Sequence, residues 1–308
     1  MRHIQFGLTL PSANATDLSH PLFFNSIRAA IEMVTGHFDS VWLPDHLQFA
    51  STPIFESWTM LTYLAASYPQ LRYGHLVLCQ LFRNPALLAK MAATLQHMSQ
   101  GQFILGLGAG SAEDEALAYD FSLPTAGQRV NALEEQLQII TSLWREDRVS
   151  FSGTYHQITE ASCLPHPEPL PPVLIAAFQP RMLRLAARYA DWWNTGMITP
   201  EEARTHIQAL DAACEAVGRD PKTLRRTILL NCSCATTEAR LKMLKDTHTS
   251  PFGPGLVGKP AQIVEQLQAY VELGFDYFMF MPGGLPRDLT TLELLTHEVL
   301  PTLNKLYC

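Results

Sequence analysis

Apolar residues fall in short blocks of two alternating kinds. Leu71 to Cys79 (LRYGHLVLC) is a mostly apolar, partly β-branched run of strand length. Asn84 then supplies a cap, Pro85 suits the first helical position, and Leu88, Met91, Ala92, Leu95 and Met98 recur at helical spacing. Gly101 ends that helix, and Phe103 to Leu107 is apolar on both faces, as buried parallel strands are. Strand, helix and strand in this order make one crossover unit.

The same alternation runs through the whole chain. Strands are expected at Ile4 to Leu10, Phe38 to Leu43, Leu71 to Cys79, Phe103 to Leu107, Val173 to Ala177, Asp191 to Thr195, Leu224 to Ala235 and Tyr277 to Met281. Helices are expected at Phe23 to Thr35, Ser57 to Tyr68, Gln128 to Trp144, Arg181 to Tyr189, Pro200 to Val217, Glu238 to Lys245, Ala261 to Leu273 and Leu289 to Leu306, besides the one after Asn84. VSFSGTYHQI reads as a hairpin, and the proline-rich PHPEPLPP cannot be helical. Eight strands alternating with helices predict an α/β fold of the (β/α)8 TIM-barrel type, one domain over residues 1–308, with loop excursions and the functional site at the C-terminal strand ends.

Composition narrows the partner. No flexible linker or block of like charge divides the 308 residues, and 47% hydrophobic content supports one large core. A formal charge of −7 argues against nucleic acid or an anionic membrane and points to a small molecule. The six cysteines show neither CxxC nor zinc spacing, so reduced thiols in a cytoplasmic protein are expected. MRHIQFGLTLP lacks the features of a signal peptide, and no apolar run reaches the roughly 20 residues of a membrane helix.

Candidate chemistry gathers at the predicted strand ends. Asp45 and His46 directly follow the second strand, where a histidine can move a proton and a carboxylate can orient it; a turn cap with an exposed ring is the competing reading. LGLGAG at 105–110 is GxGxG and not the dinucleotide fingerprint GxGxxG, and it is followed by Glu113, Asp114 and Glu115, which repel a pyrophosphate. Gly106, Gly108 and Gly110 thus serve either backbone approach to a flat ligand or close packing of the barrel. Arg83 either faces an anion or pins a loop. Ala176, Ala177, Phe178 and Gln179 precede a helix whose first N–H groups can bind phosphate. No HExxH, GxSxG or Walker signature occurs, so no metal, acyl-transfer or nucleotide-hydrolysis chemistry is expected.

Taken together, GLTLP, FDSVWLPDH, ESWTMLTYLAA, FRNPALLAKMAATLQHMSQG, FILGLGAG, PTAGQRVNALEEQLQIITSLW, LPPVLIAA, LRLAARYADWWN and VGKPAQIVEQLQAYVELGFDYFMF resemble the bacterial luciferase-like family of flavin-utilising barrels, most closely its coenzyme F420 branch. The resemblance implies a deazaflavin or isoalloxazine ring in the barrel mouth, and a bulge in the third strand at Leu76, Val77 and Cys79 with a cis peptide at Leu76–Val77. It also implies His46 at the reacting edge with Asp45 beside it, and cofactor contacts from Gly108, Gly110, Ala176, Ala177, Phe178, Asn194 and Arg287. Barrels of this family often form homodimers.

The chain departs from that pattern in places. Ser111 stands where dehydrogenases of the branch carry a proton-donating glutamate, Ala176-Ala177 replaces the usual glycine pair, and a lysine found in some relatives is absent around Met197. The expected function is hydride transfer between coenzyme F420 and a small organic substrate. An FMN-dependent monooxygenase and a flavin-binding barrel without turnover are the alternatives, and a Rossmann dehydrogenase stands behind them. Substrate contacts are expected from Gln48 to Glu56, Ala112 to Gly127 and Thr247 to Leu256.

Overall fold

A computed structural model describes residues 4–14, 18–49, 51–111, 113–247 and 255–307. Its centre is a closed parallel barrel of β1 (Gln5–Thr9), β2 (Ser40–Leu43), β3 (Arg72–His75), β5 (Phe103–Gly108), β8 (Val173–Ala176), β9 (Trp192–Gly196), β10 (Arg225–Cys234) and β12 (Tyr277–Pro282), the last pairing back to the first. The helices packed outside include α1 (His20–Val34), α2 (Ser57–Ser67), α3 (Pro85–Met98), α5 (Ala126–Leu143), α6 (Pro180–Tyr189), α7 (Pro200–Ala216), α8 (Glu238–Thr247) and α9 (Pro260–Glu272). The predicted eight-stranded α/β barrel is the observed fold.

Local sequence explains most boundaries. Asn84 Oδ1 accepts the amides of Ala86 and Leu87 and so caps α3, while Gly101, at φ +86°, closes the following turn with its N–H on Gln96 O. The buried face of α3 runs through Leu88, Ala92, Leu95 and Gln96, and the expected contribution of Met98 is absent, since that side chain is 64% exposed. The hairpin is β6 (Val149–Ser152) against β7 (Gln157–Ala161), antiparallel.

Three features depart from the periodicity. The third strand breaks after His75 and resumes as β4 (Leu78–Cys79), with the Leu76–Val77 peptide cis at the break. Gly74 pairs with Ile104 and Leu78 with Leu107, so four steps along one strand oppose three along its neighbour, which is a bulge. A short strand β11 (Leu256–Gly258) extends the sheet beside the end of β10; three residues are too few for a periodic signal. The C-terminal helix contains a π-helical turn at Leu295–Val299 just before Pro301, which has no N–H to offer the preceding turn.

Side chains alternate between two cores. Phe6, Leu8, Val41, Leu43, Phe103, Leu105 and Phe278 face the helices, whereas Trp42, Ile104, Leu174, Trp192, Tyr277 and Met279 fill the barrel interior. Trp42 is fully buried and lies across Gly7 and Gly74, where a Cβ would collide with its indole. Its Nε1–H donates to Ser40 Oγ at 2.5 Å. The lower interior is therefore solid, and the open volume lies above it at the C-terminal mouth.

Candidate active site

Two residues after β2, Asp45 acts as an anchor. Its carboxylate accepts two hydrogen bonds from the Arg83 guanidinium (2.7 and 3.0 Å), one from Ser57 Oγ (2.7 Å) at the start of α2, and one from the Cys79 amide (2.9 Å) at the end of β4. Burial pushes this carboxyl upward, but Arg83 and Ser57 more than offset it and hold the group below the usual aspartate range. Arg83 also reaches Glu56 at 2.8 Å and stacks over Trp58. Of the two readings open for Arg83, loop pinning is the one observed.

Position 46 faces the cavity. His46 Nδ1 lies 2.6 Å from Glu115 Oε1, and the other oxygen of that carboxylate accepts the Leu47 amide at 2.6 Å. Glu115 is buried on the short helix α4 (Glu113–Ala118), and Tyr119, just beyond that helix, donates from its hydroxyl to Leu47 O at 3.3 Å. An ionised carboxylate only accepts, so the ring supplies the hydrogen at Nδ1. Nε2 has no hydrogen-bond partner among the described residues, and the His46 side chain is 30% exposed. Phe49 packs against the ring at 4.3 Å.

The glycine run forms the cavity's floor together with the bulge. Gly106, Gly108 and Gly110 fall on one face of the β5 segment, and a Cβ at each would meet His75 O, Val77 Cγ2 (2.7 Å) and Cys79 Sγ (2.5 Å), in step along the segment 75–79. Close backbone packing thus accounts for the spacing, and it brings the Leu76–Val77 peptide into the barrel mouth. Beneath the floor His75 is fully buried, stacked on Trp58 at 5.3 Å; burial brings it down to about 4, partly opposed by the charge of Asp45. Burial likewise raises the Cys79 thiol to about 11.

A cavity of about 760 Å³ is lined by Asp45, His46, Leu76, Val77, Gly108 and Gly110 on one side and by Ala176, Phe178 and the α5 and α6 termini on the other. That volume lies within the roughly 300–1,000 Å³ of small-molecule sites. Arg129, Arg181 and Arg184 project from the far wall, and none of them forms an ion pair among the described residues. Arg129 donates to Pro124 O while its buried Nε–H has no acceptor, and Arg181 donates to Asn131. In a chain of net charge −7, three cations without counter-ions on one wall suit an anionic ligand.

Several expected contacts lie elsewhere. The Asn194 side chain donates to Thr227 Oγ1 (2.9 Å) inside the barrel, the Ala177 amide is bound to Asn194 O (3.1 Å), and neither residue is among those lining the cavity. Arg287, in the turn after β12, is not among them either. Of the expected substrate loops, residues 50, 112 and 248–254 lie outside the described residues. The sequence marks Glu115 only as one of three acids after the glycine run, without a partner, and gives the three arginines no part in the site. Glu115 sits in a run of three acids whose inward member only the helical register distinguishes, and arginines on surface-like helices carry no periodic mark. Among the described residues no three metal-binding side chains converge, and no helix is long and apolar enough to cross a membrane.

Known proteins resemble the chain in sequence and in fold. Residues 4–252 match the family model described as luciferase-like monooxygenase. The chain is 30% identical over 305 residues to an F420-dependent glucose-6-phosphate dehydrogenase of Microbacterium testaceum, covering 87% of this chain and 90% of that protein. It is 27% identical over 292 residues to the enzyme of the same name from Kineococcus radiotolerans, covering 83% and 86%. Among solved structures, an F420-dependent secondary alcohol dehydrogenase in complex with an F420-acetone adduct superposes with a TM-score of 0.84 at 19% identity, covering 98% of this chain and 99% of that one.

Proposed function

The chain belongs to the luciferase-like monooxygenase family, and from that membership we propose that it is an oxidoreductase using coenzyme F420 to exchange a hydride with a small organic alcohol or carbonyl compound. The observation that carries this reading is the convergence of His46, the Leu76–Val77 bulge and the glycine turn on one cavity whose opposite wall is cationic. The relatives named as F420-dependent dehydrogenases support the same cofactor.

The residues present fit such a coenzyme. The floor made by Val77 and Gly108 offers backbone and aliphatic surface to a flat ring, and Arg129, Arg181 and Arg184 offer three positive charges to a tail that carries a phosphodiester and carboxylates. FMN, with a single phosphate, would leave part of that charge uncompensated. Bound there, the coenzyme supplies a two-electron hydride acceptor or donor.

The protein's own part is positioning and proton handling. In alcohol oxidation the carbinol carbon loses a hydride and its hydroxyl proton moves to His46 Nε2, with the Glu115 carboxylate balancing the imidazolium that forms. Carbonyl reduction runs the same transfers backwards. Asp45 touches neither nitrogen of His46; its place is behind the site, holding the β4 end and α2 in register.

Titration of the purified protein with coenzyme F420 and with FMN, followed by assays with secondary alcohols and sugar phosphates, tests the reading. F420 binding with substrate-dependent bleaching is expected, and His46→Ala should keep the binding while slowing reduction by roughly 10²- to 10⁴-fold. Preferential binding of FMN, with rapid oxygen consumption once it is reduced, would replace this reading with the monooxygenase.

A further inference from the structure

We propose that Glu115 is the positioning residue that makes His46 a proton acceptor on its cavity side only, an inference that rests on the proton-transfer role given to His46 above. Three contacts carry it. Glu115 Oε1 receives Nδ1–H of the ring, Oε2 receives the amide of the next residue, Leu47, and Tyr119 from beyond the same helix binds the Leu47 carbonyl. The carboxylate thus fixes both the backbone that carries the histidine and the tautomer of its ring. It has no other partner to serve: it is 3% exposed, forms no ion pair with Arg or Lys among the described residues, and both oxygens are used on His46 and Leu47.

The chemical consequence follows from the imidazole ring itself. A neutral histidine with its hydrogen on Nδ1 has its lone pair on Nε2 and can take a hydroxyl proton there; the other tautomer presents an N–H and cannot. Glu115 and His46 are 69 positions apart, on the helix α4 after β5 and the loop after β2, so the pair exists only because the barrel brings those two strand ends to one rim. Neither residue type at neither place reveals the partnership before folding. The position next to the glycine turn is Ser111, and the carboxylate that reaches the site's histidine comes from one helical turn further on.

The test is ¹⁵N NMR of histidine-labelled protein without coenzyme, with His46 assigned by the His46→Asn variant. In the native chain the His46 signals should show a protonated Nδ1 and an unprotonated Nε2 at a pH where the ring is neutral. Glu115→Gln keeps the shape but places an amide where an acceptor for both Nδ1–H and the Leu47 N–H stood, so the signals should move to a mixture of tautomers. Tyr119→Phe removes the helix's other hold on Leu47 and should leave the tautomer as it was. A native His46 protonated on Nε2 overturns the proposal without any variant having to fold, and so does an unchanged tautomer in Glu115→Gln or an equal change in Tyr119→Phe. With coenzyme and substrate, kcat in Glu115→Gln should fall about 10- to 100-fold, as for other oriented histidines, with KM changed by less than about threefold. If F420 turnover is not found at all, the reading of function fails while the NMR result still decides the role of Glu115.

Discussion

Replacing Arg83 by leucine tests the anchor beneath the site. The Asp45 side chain is 1% exposed and Arg83 10%, so the substitution leaves a carboxylate in the interior with two hydrogen-bond donors, Ser57 Oγ and the Cys79 amide, and no counter-charge. Removing one partner of a buried pair costs about 3–5 kcal/mol. The Glu56 contact adds little, because that carboxylate is 43% exposed. The pH dependence has a defined sign. In the native protein Asp45 is held below its ordinary value, so its contribution is present above the aspartate range and is lost only as pH falls below it. In Arg83→Leu the two hydrogen bonds from Ser57 and the Cys79 amide remain but the largest opposition to burial is gone, so the carboxyl rises. Protonation then relieves the penalty, and the difference between variant and native protein should shrink as pH is lowered from neutrality toward the aspartate range. Urea unfolding followed by tryptophan fluorescence across that range measures it. The double variant Asp45→Asn/Arg83→Leu should recover part of the loss by removing both charges. A loss under about 1 kcal/mol, as for an exposed pair, or one that does not vary with pH, would refute the argument.

Two further outcomes follow from the floor of the site. His75 is held near 4 against an ordinary 6.5, so the native state resists its protonation; stability should be untouched by this group above 6.5 and decline by roughly 3 kcal/mol as pH falls to about 4. Melting temperature against pH should flatten over that window in His75→Phe, which keeps a ring stacked on Trp58, and an unchanged slope would show that His75 is not the group responsible. Gly108→Ala places a methyl 2.7 Å from Val77 Cγ2 and should cost about 1–3 kcal/mol while weakening coenzyme binding in titration. Val77→Ala in the same chain should restore much of both, and a Gly108→Ala protein as stable as the native one would show that the floor yields.

The barrel was legible because its signal is collective. Each strand is short, but eight apolar runs separated by capped amphipathic helices leave few other ways to bury so much surface, and Asn84-Pro85 and Gly101 mark their boundaries by local backbone chemistry. The position of His46 at a strand end followed from the same count. What the sequence withheld depends on tertiary geometry. Asp45 looks like the partner of His46 because it is adjacent, yet neighbouring residues at the end of a strand point in different directions, and the histidine's partner arrives from 69 positions away. Asn194, in the middle of β9, points into the barrel to Thr227 because side chains alternate along the strand. The arginines became meaningful only when two helices set them on one wall with no ion-pair partner among the described residues.

The placement of Glu115 also bears on how such a barrel changes its substrate. The excursion after Ser111, described from residue 113 to 124, follows the mouth-lining glycine turn, where exchange of loops between relatives retargets an enzyme most readily, yet it also carries the side chain that holds His46. If His46 moves the proton as proposed, a foreign segment grafted there is expected to alter recognition and reactivity together, unless the graft keeps an acid at the same helical phase. On the role proposed for His46, substrate range and chemistry are linked through that excursion, and libraries that diversify it should hold position 115 constant.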